Sequence, residues 1–274
     1  TIFSPFSSNV FHSTGIDNFI DSAIVIQDEN GTSAFNANDN KPDKESCKFL
    51  RDKFGNFDLA MINYNAAGPY PSCFTNLSEE EKINAHNEVL HRNIKHLIEC
   101  CNILKPKKVL PFAGAYVIGG KEYKKNNYLG TTTWDYCALE IQKNSPHSVL
   151  TLRESDTYNL LTGKSNKPYI PINVVDQKEY ISKILSNIKY PYEHDNPVDE
   201  VDLCEKVTKA IISLNDRTIR YGIKVKSKVK VYAGNNCWII NQGDPEFGVN
   251  LDFYLDERLL NRILRRKSHS NNAE

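Results

Sequence analysis

From residue 78 to about residue 104 the chain places Ile83, Val89, Leu90, Ile94, Leu97, Ile98 and Cys101 at a spacing built from steps of three, four and seven. That spacing puts them on one side of a helix and leaves the charged residues on the other. Ser78, with Glu81 three residues on, has the pairing that caps such a helix, and Pro106 stops it. A long helix with one apolar face needs a layer to cover that face, so the chain is confined to layered architectures.

The flanking segments predict that the covering layer is a sheet. Residues 57–64 form a mostly apolar strand between Gly55 and the loop Ala66-Ala67-Gly68-Pro69, and residues 108–113 read as the next strand. Upstream, residues 21–27 and 32–37 are short apolar runs joined at Asp28-Glu29-Asn30-Gly31, the pattern of a β-hairpin. Cys47, Phe49, Leu50 and Phe54 then recur at helical spacing, with Pro42 placed for a first turn and Gly55 as the stop. Residues 133–143 read as a further helix and 148–152 as a further strand.

Around residues 190–197 the composition turns polar and proline-bearing, which predicts a break between a domain over 1–194 and a smaller α+β module over 195–274. The module reads as a helix from Asp199 to about Leu214 and strands near 218–225, 228–232, 237–241 and 249–254. A closing helix spans 256–266. Short Gly and Asn turns between those strands predict an antiparallel sheet.

Composition removes several classes of function. Lys and Arg together number 34, as do Asp and Glu, so there is no global field to draw nucleic acid or an anionic membrane. Neither is expected as a partner. No apolar run reaches the roughly 18 residues a spanning helix needs. Seven cysteines, with only Cys100 and Cys101 adjacent, form neither a disulfide framework nor a Cys-x-x-Cys zinc pair. A reducing, cytoplasmic location fits that usage. The chain opens in what reads as a strand-and-loop region without an initiator Met, so it is expected to be part of a longer protein.

Three segments taken in order carry a resemblance. They are Asp21-Ser22-Ala23-Ile24-Val25-Ile26 leading to Asn36-Ala37-Asn38-Asp39, then Tyr64-Asn65-Ala66-Ala67-Gly68-Pro69-Tyr70-Pro71, then Leu110-Pro111-Phe112-Ala113-Gly114. Together they resemble the metallo-β-lactamase-fold branch that includes the CMP-N-acetylneuraminate hydroxylase-like proteins and bacterial relatives associated with surface-glycan biosynthesis. Residues 259–272 resemble the small C-terminal module of that branch. The resemblance implies an α/β fold, the later half of an αββα sandwich, acting as a metal-dependent hydrolase on a small molecule such as a sugar or sugar nucleotide. The metal it implies is divalent: zinc, iron or manganese. In that fold an Asp at a strand end bridges metal ions, and Asp39 matches that place; His12 matches a histidine that precedes the strand.

Two departures set a rival reading beside this one. The family's His-x-His-x-Asp-His element occurs nowhere in the sequence, and no histidine follows Phe112-Ala113-Gly114 closely. Either the other ligands lie outside this chain, or the domain is a metal-free relative that binds a ligand or a partner protein. An iron–sulfur oxidoreductase is a third possibility, but the cluster-binding Cys and His pairs it needs do not occur here. Half a sandwich exposes one apolar sheet face, which predicts a missing half-domain or a second copy as partner.

For Asp39 the competing role is a solvated turn residue before Pro42, and for His12 a surface loop histidine. Asn63, Tyr64, Asn65, Gly68 and Tyr70 lie in the connection after a buried strand, where α/β proteins place ligand loops, and Gly114 and Tyr116 lie in the loop after the next strand. These seven are the expected substrate contacts. His86, His91 and His96 step by five, which turns each about 140° from the last and keeps them from converging on one ion. Arg258, Arg262, Arg265 and Arg266 are read as a solvated helix face.

Overall fold

The computed structural model describes residues 2–3, 23–112 and 115–266. It divides into two compact units, Thr1–Ile188 and Lys189–Glu274.

The first unit is mixed α/β. Its strands are β1 (Ile2–Phe3), β2 (Ala23–Gln27), β3 (Ser33–Asn36), β4 (Leu59–Asn63) and β5 (Lys108–Phe112), arranged in that order across one sheet. The first three pair antiparallel, and β3, β4 and β5 run parallel. Parallel neighbours need long crossovers, and two helices supply them. Helix α1 (Lys44–Phe54) joins β3 to β4, and α2 (Glu79–Leu104) joins β4 to β5. Helix α3 (Trp134–Asn144) follows β5. The strand expected at 148–152 is reduced to one parallel bridge, Val109 to Val149, on the far side of β5.

Local chemistry sets these boundaries. Ser78 and Glu81 exchange both capping hydrogen bonds at the start of α2, and Lys105 takes a left-handed conformation at its end, ahead of Pro106. Asp43 rather than Pro42 opens α1, since its carboxylate accepts the Ser46 N–H at 2.8 Å. The proline sits two places ahead of Lys44, the first helical residue.

Alternate strand positions build the core. Val25, Phe35, Ala60, Ile62 and Val109 meet Leu50 of α1, Leu97 and Leu104 of α2 and Ile141 of α3 in one buried cluster. Each buried Val, Leu, Ile or Phe side chain here contributes about 1.5–3 kcal/mol. The alternating set, Ile24, Ala34, Met61 and Leu110, lies on the opposite face and is only half-buried. Ile26 on that face is 59% exposed.

After α3 the chain makes a small excursion, with strands β6 (Tyr158–Asn159) and β7 (Lys164–Ser165) paired antiparallel, then helix α4 (Val174–Lys183).

The second unit holds α5 (Glu200–Arg220), β8 (Lys228–Ala233), β9 (Asn236–Asn241), β10 (Asn250–Leu255) and α6 (Glu257–Leu264). Its sheet order is β10-β8-β9. The expected antiparallel sheet is corrected here: β9 is antiparallel to β8, whereas β10 is parallel to it. The loop after β9 crosses to the other side of β8, as Asp244 N–H bonds Lys226 O and Lys228 N–H bonds Val249 O. Nor is 218–225 a strand. Helix α5 runs on to Arg220, six residues past its expected end at Leu214, and stops just before Gly222 at φ 61°. Leu203, Val207, Ala233 and Leu260 form this unit's own core. The turn Pro191–His194 packs on α6, which carries the division back from the expected 194/195 to 188/189.

Candidate functional site

Where parallel strands end, loops leave the sheet with free backbone groups and side chains, and ligands collect at that edge. In this chain the edge is formed by the segments after β3 and β4. Asn38 is left-handed at φ 52°, its N–H bonded to the side chain of Asn36 at 2.8 Å, and this turn presents Asp39 to solvent. The Asn63 amide, from the end of β4, reaches Asp39 Oδ1 at 3.4 Å. Asn63 Oδ1 in turn accepts the Asn65 N–H at 3.1 Å. Expected site residues from two separate loops are thus brought together.

Asn65 and Tyr64 serve the scaffold at this edge. The Asn65 side chain accepts the Thr132 N–H at 2.9 Å and donates to Thr132 O at 3.2 Å, and the Tyr64 hydroxyl donates to the same carbonyl at 3.2 Å. Ala66 N–H bonds Gly130 O. Tyr64 is 2% exposed, and its burial pushes the phenol above its ordinary range. The pair therefore lashes the β4 loop to residues 130–132. Gly130 is needed there, because a Cβ would lie 2.9 Å from Val89 of α2 and 3.3 Å from Ala66.

Beside Asp39 lies a group that the sequence reading did not single out. The ammonium of Lys41, a residue exposed overall, donates to Asn93 Oδ1 of α2 at 2.9 Å in a partly buried hydrogen bond. Burial, then the Arg92 cation, hold that ammonium below the usual lysine range, with Asp39 and Cys100 pulling the other way. Asn40 and Asn93 are both more than nine-tenths buried, and their Nδ2 groups have no acceptor among the described residues. A buried amide without a partner calls for one. The sequence signal was faint: Asn93 sits mid-helix on the apolar face, where a polar residue breaks the pattern.

The remaining expected contacts are spread out. Gly68 borders open space, and Tyr70 packs edge-to-face on Phe74 with ring centroids 5.1 Å apart. Tyr116 is half-buried. Gly114 and His12 lie outside the described residues. Gly119 sits against Leu185, whose carbonyl oxygen would be 3.1 Å from a Cβ there.

The α2 histidines have separate settings. His86 meets the Leu129 carbonyl, and His96 lies 3.4 Å from Cys100. His91 is exposed. Among the described residues no group of three His, Cys, Asp or Glu side chains could hold a metal ion. Around Asp39 the described residues add amides and an ammonium, so they supply one carboxylate toward a divalent cation, which takes three or more fixed ligands.

The basic run of α6 is committed to pairs in the second unit. Arg262 bonds Asp195 through two nitrogens, Arg258 bonds Asp256 through two, and Arg265 bonds Asp202. Arg258 and Arg262 are half-buried in these pairs, whereas Arg265 and Arg266 are exposed, so the solvated face expected from the sequence is found at the end of the run.

No helix among the described residues is long and apolar enough to cross a membrane. Comparison with protein-family models, curated proteins and solved structures returned no match.

Proposed function

We propose that the edge formed by Asp39, Asn40, Lys41, Asn63 and Asn93 binds a small polar substrate, a sugar or sugar nucleotide, and that the chain is the later half of a metallo-β-lactamase-like hydrolase. The observation that carries this reading is the meeting of Asp39 and Asn63 at the ends of adjacent parallel strands, beside two buried amides that lack acceptors among the described residues. Hydroxyl and phosphoryl oxygens are the acceptors such amides and the Lys41 ammonium would take. The sheet order, with an antiparallel hairpin leading into parallel strands and the apolar set on the second face half-buried, supports the sandwich. Seven free thiols accord with work in the cytoplasm, in a step of surface-glycan synthesis.

As a hydrolase the protein would need a divalent metal, with Asp39 as one ligand and the others supplied from outside the described residues. The metal would polarise the bond to be cleaved and activate water. The residues described here would bind and orient the substrate. The second reading, a metal-free binding domain of the same fold, is favoured by the amide and ammonium donors around Asp39.

Two measurements test this. Elemental analysis of protein purified without chelators is expected to find metal near stoichiometry, and Asp39→Ala to lower it; a metal-free protein removes the hydrolase reading. Calorimetric titration with a sugar nucleotide is expected to give saturable heat that Asp39→Ala weakens. Heat that is absent, or indifferent to that substitution, removes the edge as the binding site.

A further inference from the structure

The excursion after α3 builds a second recess, of about 430 Å³, lined by Trp134, Arg153, Glu154, Asp156, Lys167 and Ile170 among others. Its walls are fixed by hydrogen bonds. The indole N–H of Trp134 donates to the Tyr169 hydroxyl, Tyr169 donates to Asp135 Oδ1 at 2.6 Å, and the Ile172 N–H donates to Asp135 Oδ2 at 3.0 Å. One carboxylate thus holds both the aromatic wall and the returning segment that carries Ile172. Opposite them, Ser155 at φ 64° makes a tight turn in which Asp156 accepts the Arg153 N–H at 2.8 Å. Asn166 closes the base of the excursion on Thr157 through two hydrogen bonds, which sets Lys167 2.9 Å from Asp156.

What remains for a ligand follows from what these bonds consume. The indole has spent its N–H on Tyr169, so Trp134 offers ring carbons. Trp134 is half-buried and packs against the main core, which keeps its ring in place. The Asp156 carboxylate, 3% exposed, is taken up by Arg153 N–H and Lys167 and acts as a positioning group. Arg153 and Glu154 are exposed at the mouth, and the Lys167 side chain is 52% exposed. Ile170, 64% exposed, adds an apolar edge.

We propose that this cleft binds a neutral carbohydrate ring. A pyranose has an apolar C–H face, which an aromatic face with negative π-charge accepts, and a rim of hydroxyls that each donate and accept. The cleft pairs an aromatic wall with cationic donors, Arg153 and Lys167, and a carboxylate acceptor, Glu154. Two cations and two carboxylates cancel, so the recess has no net field for a phosphate. That balance favours a neutral sugar over a nucleotide. The inference stands on the chemistry of this cleft and does not require the metal reading of the Asp39 edge.

Ligand-detected saturation-transfer NMR on the full chain tests it. The probes are methyl β-galactoside, methyl α-mannoside and N-acetylglucosamine, with UMP as the counter-probe. Saturable transfer strongest on ring C–H protons is expected for at least one sugar, with Kd on the order of millimolar for a ligand of that size. Arg153→Ala and Glu154→Gln, both at exposed positions, should each weaken it about tenfold, the usual cost of losing a hydrogen bond to a charged group. Lys209→Ala, at an exposed position of the second unit, should leave it unchanged. No saturable transfer from any of the sugars overturns the proposal, as does binding that survives both cleft variants. Stronger binding of UMP overturns it in favour of a nucleotide cleft. Sugar binding lost in Asp39→Ala but kept in the cleft variants also overturns it and assigns the sugar to the strand edge.

Discussion

Lys41 reaches from the loop after β3 to α2 and gives Asn93, a residue 5% exposed, its hydrogen-bond partner at 2.9 Å. The pair joins the loop that carries Asp39 to the helix behind it. Lys41→Met would leave the Asn93 amide buried with neither end bonded, at a cost of about 1–3 kcal/mol. Adding Asn93→Leu removes the second polar group as well, so the double variant should be more stable than the sum of the single ones predicts. Urea denaturation of the four proteins reads this; strict additivity would mean the bond contributes nothing.

Gly130 has no positive φ to protect, only proximity. Gly130→Ala should destabilise the first unit by about 1–3 kcal/mol, the usual range for overpacking, because the new methyl group meets Val89 and Ala66. Val89→Ala in the same chain should recover part of that loss. Thermal unfolding of the single and double variants measures it, and an unshifted midpoint in Gly130→Ala would show that the α2 contact yields freely.

Stability should fall on mild acidification, and His96 is one cause. Burial, then the Lys41 cation, hold its pKa below the ordinary 6.5, while Glu99 and Asp43 pull upward. In the unfolded chain His96 takes its proton near pH 6.5, whereas the native imidazole waits for a lower pH. Between those two values the unfolded state binds more protons, so the unfolding free energy declines as pH falls through that window and is unaffected by this group above it. His147, also lowered by burial, adds in the same direction. His96→Gln should flatten the slope of stability against pH below 6.5, and an unchanged slope would assign it elsewhere.

Thiol labelling should separate the seven cysteines into classes. Cys47, Cys100, Cys101 and Cys137 are buried, and Cys237 is exposed. Burial raises the Cys101 and Cys137 thiols, and contact with Cys47 together with burial raises Cys100, which keeps thiolate scarce at neutral pH. Iodoacetamide on the native protein, followed by peptide mass analysis, should modify Cys237 first and the four buried thiols only after denaturation. Early modification of Cys101 would contradict the core packing.

The elements most legible in the sequence were those whose signal is local. The Ser78 and Glu81 cap, the apolar stripe of α2 and the hairpin of β2 and β3 depend on residues a few places apart, and the structure reproduces them, except that Ile83 at the start of the stripe is 48% exposed. What could not be read is set by distance along the chain. The parallel pairing of β10 with β8 depends on which side of β8 the loop after β9 crosses, which short turn residues do not encode. Arg262 and Arg265 gave no sign of their ion pairs because the carboxylates, Asp195 and Asp202, lie more than sixty residues away. Helix α4 has no buried residue and gave no stripe to find. At the strand edge, Asp39, Asn63 and Asn65 could be named from loop position, but Lys41 and Asn93 gain their place only when α2 folds against the loop. Tyr64 was chosen as a contact because it adjoins that loop, and its alternation with Ile62 in the strand already pointed inward.

The two buried clusters draw their members from separate stretches of sequence, one ending at Ile141 and the other beginning at Leu203. A gene encoding such a chain can be cut, fused or recombined between them without any core losing a member. Selection can then act on the segment after Ile188 as a cassette, replacing it while the sheet that carries Asp39 keeps its own interior.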